Sequence, residues 1–116
     1  MQENPTQRTF VALDVSILAI SKLRPVVAKI RSSDRDLGEQ IRRALSSVAL
    51  NLAEGGKSDG GNRISRYSTA AGSTSEARAA LRVAVAWGYV THAEVGEGDA
   101  LLDRVAAMLY RLGARR

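Results

Sequence analysis

The chain contains no cysteine in 116 residues. That excludes disulfides, Cys-ligated zinc, iron–sulfur clusters and thiol nucleophiles. The single histidine, His92, leaves little room for His-based metal or triad chemistry. Aromatic residues make up only 4% of the chain, and there are two prolines, Pro5 and Pro25, so little in the sequence interrupts helix. No run approaches the roughly eighteen consecutive apolar residues of a membrane span. The polar opening Gln2, Glu3, Asn4 lacks the basic and apolar regions of a secretory signal. The expectation is a cytoplasmic protein with one domain over residues 1–116, no cofactor and no metal.

What the chain has is hydrophobic content of 45%, abundant Ala, Leu and Arg, and a net charge of +5. Such a composition favours helix. Four helices can be cut out, at about 8–31, 34–54, 63–87 and 92–112. In the first, Phe10, Leu13, Ile17, Ile20, Leu23, Val27 and Ile30 recur at gaps of three and four, and Pro25 predicts a kink near Ser21 to Arg24. Ser33 and Asp36 have capping-box spacing for the second helix, whose stripe is Leu37, Ile41, Leu45, Val48 and Leu52. Gly55 and Gly56 read as its C-cap, opening a mobile, glycine-rich loop to Asn62.

The third helix stops at Gly88, and Thr91 with Glu94 repeats the capping-box spacing ahead of a fourth that ends at Gly113. Asp99 is an alternative cap for it. No segment alternates apolar and polar residues over a strand length. Short connections between long helices predict an all-α, up-down-up-down four-helix bundle. Helices three and four carry apolar residues beyond one stripe, notably Val83, Val85, Trp87 and Leu101 to Leu112, which points to self-association.

A polar stripe, Ala44, Ser47, Asn51 and Glu54, adjoins the apolar face of helix two, and helix three carries Gly72, Ser73 and Glu76 among alanines. Glu54 and Glu76 could be read as a paired carboxylate for metal or acid–base work. The favoured reading makes Asn51, Glu54, Ser73 and Glu76 a structural network fixing helix register, with Gly72 admitting close backbone approach. A di-metal bundle would need further carboxylates and Glu-x-x-His pairs, which are absent. Gly56-Lys57-Ser58 lacks both the earlier glycine and the strand of a P-loop.

The string Asn51-Leu52-Ala53-Glu54-Gly55 is preceded by Arg42-Arg43-Ala44 and Ser47-Val48. It is followed by Ala71-Gly72-Ser73-x-x-Glu76 and Gly88-Tyr89-Val90. Over about Ile41 to Val90 this pattern resembles the four-helix-bundle family of bacterial ribosomal RNA intervening sequences. The resemblance implies a barrel-like homopentamer. It also brings in a related accessory protein of diversity-generating retroelements, a basic pentamer that binds nucleic acid and works with a reverse transcriptase. The loop here is richer in glycine and less basic than the family's commoner form.

Arginine outnumbers lysine fourteen to three, and its planar fork suits phosphate. Five subunits would present about +25, a field that attracts polyanions. The preferred contacts are Arg42, Arg43, Arg63 and Arg66, which flank the glycine-rich loop and so are expected toward one end of the bundle. Base stacking is not expected, because Phe10, Tyr67, Trp87, Tyr89 and Tyr110 fall mostly on core stripes. The expected function is a non-enzymatic, oligomeric nucleic-acid-binding accessory protein. The alternative is a protein–protein adaptor whose charge is incidental.

Overall fold

The computed structural model describes residues 4–114, so Arg115 and Arg116 lie outside the described residues. Four helices follow one another: α1 (Pro5–Ser33), α2 (Arg35–Lys57), α3 (Gly60–Ala86) and α4 (His92–Arg111). Among the described residues there is no strand.

α1 starts three residues ahead of expectation because Asn4 and Gln7 form a reciprocal capping box with Pro5 in the first turn. It continues through Pro25, so the proline does not divide it. The α2 cap is Asp34, whose carboxylate accepts from the Leu37 N–H at 3.0 Å, rather than Ser33. Thr91 and Glu94 form the expected box at α4. Gly88 (φ +80°) and Gly113 (φ +94°) turn the chain out of α3 and α4, as their positions predict.

The α2–α3 connection departs most from expectation. Gly55 and Gly56 are helical, α2 runs on to Lys57, and only Ser58 and Asp59 separate it from α3. The two glycines serve packing. A β-carbon on Gly55 would strike the Tyr67 ring, and one on Gly56 would come to 3.2 Å from the Thr9 methyl. Gly98 likewise admits Leu23, bringing α4 onto α1. Gly72 does the opposite of what its sequence context predicts: it is exposed, with nothing within 4 Å of a β-carbon placed there.

α2 packs on α1 and α3, and α4 packs on the same two helices. Leu23, Ile30, Ile41, Leu52, Leu81, Leu102 and Leu109 fill the centre, while α3 contributes small side chains at Ala70, Ala77, Ala80 and Ala84. Small residues let helix axes approach closely. Ser16 and Thr74 bury their hydroxyls by donating to the carbonyls of Leu13 and Ala70.

The surplus apolar surface lies only partly where predicted: α3 exposes Val83 and Trp87, and α4 exposes Tyr110. α4 buries Leu101, Leu102, Val105 and Leu109 within the subunit. α1, which is not expected to, exposes Phe10, Val11, Ile17 and Leu18 as well. These occur as two pairs seven residues apart, which places them on one outward face interrupted by Asp14.

Candidate nucleic-acid interface

Every acidic residue of α4 is matched by a base from a neighbouring helix. Lys29 meets Glu94 at 3.0 Å and Lys22 meets Glu97 at 3.0 Å, both from α1. From α3, Arg78 grips Asp99 through Nε and NH2 at 2.9 and 3.2 Å and reaches Asp103 through NH1 at 3.0 Å. The hydrogen bond to Asp99 is the main cause of an upward shift in the Arg78 pKa. Lys29 followed by the Thr91 N–H holds the Glu94 carboxyl below its ordinary value. Glu39 takes Arg31 at 2.9 Å and Arg42 at 3.6 Å.

Exposed pairs of this kind contribute little stability each. Their consequence is a division of charge. The acids of α4 are consumed where it meets its neighbours, and among the described residues Arg24, Arg35, Arg43, Arg63, Arg66 and Arg82 have no ion pair, as is also true of Asp14, Asp34, Asp36, Glu54, Asp59 and Glu76. Arg63 donates to the Ser58 carbonyl at 2.9 Å and Arg66 to Asn51 Oδ1 at 3.4 Å. Both guanidinium groups face neutral oxygens rather than carboxylates.

The four preferred arginines form two groups. Arg63 and Arg66 stand in the first two turns of α3, beside the α2–α3 junction. Arg42 and Arg43 stand in the first half of α2; at 1.5 Å per residue Arg43 is roughly 12 Å along the axis from Asn51, which Arg66 reaches, and roughly 22 Å from Ser58, which Arg63 reaches. The expectation that all four gather at one end therefore holds only for Arg63 and Arg66. Arg42 shares a shallow α1–α2 cleft with Arg24, Ile20 and Leu45.

The polar residues divide similarly. Asn51 Nδ2 donates to the Ser47 carbonyl at 2.9 Å and to Ser47 Oγ at 3.2 Å, and Ser47 Oγ meets Ser73 Oγ at 2.8 Å. Ser47 thus joins Asn51 to Ser73 across α2 and α3. Glu76 is exposed and accepts from Gln40 at 3.4 Å. Glu54 is exposed near the end of α2, and its side chain has no hydrogen-bond or ion-pair partner among the described residues. Gln40 and Glu54 are fourteen residues apart on one helix, roughly 20 Å. Glu54 and Glu76 accordingly do not form a carboxylate pair.

Three features have no clear signature in the linear sequence or contradict it. Thr9 and Tyr67 share a buried 2.6 Å hydrogen bond. Arg78 staples α3 to α4, a role signalled only by Asp99 and Asp103 standing one helical turn apart. Trp87 is 68% exposed, although periodicity places it on an apolar stripe.

A four-helix chain with alanine-rich packing on α3 and an arginine-bearing surface defines an all-helical bundle protein. Residues 16–111 match the model of the 23S rRNA-intervening sequence protein family, and the chain belongs to that family. The match extends beyond the motif-bearing central segment into α1 and through α4. Comparison with curated proteins and with solved structures gave no significant match. No helix among the described residues is long and apolar enough to cross a membrane.

Proposed function

We propose that the chain is a non-enzymatic accessory subunit that binds RNA or DNA through phosphate contacts, acting as a homo-oligomer. The observation carrying this reading is that Glu39 and the four acids of α4 are paired at helix contacts, while Arg35, Arg43, Arg63, Arg66 and Arg82 on α2 and α3 are left with neutral partners or none. Uncommitted guanidinium groups attract phosphate without reading sequence. Arg43, Arg63 and Arg66 are the leading contacts, and Arg42, shared with Glu39, is secondary.

Oligomerisation is supported by the outward apolar face of α1, and the family resemblance supplies the barrel-like homopentamer. An up-down-up-down order fits the short junctions. It also fits the start of α1 lying beside the end of α2, through Thr9 and Gly56, and the end of α1 lying beside the start of α2, through Arg31 and Gly38. The same α1 face favours a second reading, an adaptor docking on a protein such as a reverse transcriptase.

Binding of labelled RNA and DNA at low salt by the wild type and by an Arg43→Ala, Arg63→Ala, Arg66→Ala triple variant tests the proposal. Weakened binding by the variant supports it. Equal binding transfers the role to other groups, and no binding by either protein favours the adaptor.

A further inference from the structure

The outward face of α1 has a regular spacing. Phe10, Asp14, Ile17, Ser21, Arg24 and Ala28 follow one another at alternating gaps of four and three, and all of them are exposed. That alternation is the heptad spacing of a helix that pairs with another helix. Phe10 and Ile17 are 57 and 49% exposed, and Val11 and Leu18, at 41 and 44%, flank them. The lysines of α1 stand farther round, where Lys22 and Lys29 are committed to Glu97 and Glu94 of α4. The charges within the strip are therefore Asp14 and Arg24 alone.

Neither of them has an ion pair among the described residues. Nor can they reach each other: ten residues apart on one helix, they are separated by about 15 Å. Arg24 instead shares a cleft with a second cation, Arg42. An acid is wanted beside Arg24, and a base beside Asp14.

The strip complements itself when reversed. Opposite an antiparallel copy centred at the level of Ala19, Asp14 faces Arg24, Ile17 faces Ser21 and Phe10 faces Ala28, each pair occurring twice. Opposite charges meet, and each large side chain meets a small one. The two Leu18 side chains come together beside the axis. A parallel copy would set Asp14 against Asp14 and Arg24 against Arg24. Sliding the antiparallel copy by one heptad sets Asp14 either against Ile17 or against Arg31, which Glu39 already holds at 2.9 Å.

We propose that α1 pairs with α1 of a second copy, antiparallel across a two-fold axis, with Asp14 of each copy opposite Arg24 of the other. The proposal rests on the homo-oligomer reading above and names its contact surface. Apolar contact supplies the attraction, and the two ion pairs set direction and register. A face that complements itself closes at two copies, whereas a ring needs two different faces on each subunit. α1 therefore joins subunits, or whole rings, in pairs.

The chain has no cysteine, so single introduced cysteines report which positions meet. Leu18→Cys is expected to give a covalent dimer under mild oxidation. Phe10→Cys is expected not to, because the two copies of position 10 stand roughly 27 Å apart in this register. Asp14→Arg and Arg24→Asp are each expected to halve the mass read by light scattering, and the double variant to restore it. Melting of all three near the wild-type temperature confirms that they fold. An unchanged mass in both single variants, without a Leu18→Cys dimer, overturns the pairing and leaves self-association standing. Failure of the double variant to restore the mass, or a Phe10→Cys dimer as abundant as that of Leu18→Cys, overturns the antiparallel register and the proposal with it. A wild-type mass of one subunit at all concentrations removes both the pairing and the homo-oligomer reading.

Discussion

A β-carbon on Gly55 would stand 2.5 Å from Cε1 of Tyr67, nearer than two unbonded carbons can rest. The end of α2 and the start of α3 are therefore matched, glycine against ring. Gly55→Ala is expected to cost about 1–3 kcal/mol, as overpacking does. Tyr67→Phe, which removes the 2.6 Å bond to Thr9, is expected to cost about 1 kcal/mol. Gly72→Ala is expected to stabilise by about 0.5–1 kcal/mol, because its site is open and alanine is the better helix former. Urea denaturation of the three variants checks this. Destabilisation at Gly72 would mean that another copy covers the outer face of α3.

These glycines also show what can be read from the sequence and what cannot. Helix ends set by local chemistry are legible: the Thr91–Glu94 box and the positive-φ glycines 88 and 113 depend on partners within a few residues. Gly55 and Gly56 look like a helix stop because their true role depends on Tyr67 and Thr9, which are remote in sequence. The α1 periodicity is legible, but a helix apolar on two sides does not announce which side is buried. At the candidate site, the stripe through Ser47 and Asn51 points toward Ser73, whereas the exposure of Glu54 and Glu76 follows from helix rotation that spacing alone leaves open.

The α2–α3 seam gives a second prediction. Ser47→Ala deprives both Asn51 and Ser73 of a half-buried partner and is expected to cost about 1 kcal/mol. Glu54→Ala and Glu76→Ala are expected within about 0.5 kcal/mol of wild type, because exposed substitutions seldom do more. Thermal melts that reverse this order would refute Ser47 as the hub.

Acid titration gives a third. Lys29 and the Thr91 N–H lower the Glu94 pKa in the folded state from its ordinary 4.5. A lowered folded value means that the fold favours the carboxylate. The resulting stabilisation is complete above 4.5 and disappears as pH falls through the depressed value. Glu94→Gln is therefore expected to melt below wild type near neutrality, with the difference closing in acid. A gap that widens on acidification would contradict the assignment.

Self-association gives a fourth. Light scattering is expected to return a multiple of the 12.4 kDa subunit mass, five-fold for the homopentamer. Phe10→Asp with Ile17→Asp is expected to reduce that mass while preserving helical content, because both side chains point outward. A wild-type mass of one subunit at all concentrations would refute self-association.

The central claim is phosphate binding by uncommitted arginines, and the salt dependence of affinity tests it most directly. Binding constants for one RNA and one DNA duplex are measured across a salt series. The expected plot of log K against log salt is linear and steeply negative, with a slope of about −0.9 per DNA phosphate neutralised. Replacing Arg63 and Arg66 with alanine is expected to make the slope shallower by about one for each phosphate that is no longer neutralised. Affinity independent of salt, or no binding at the lowest salt, would contradict the account.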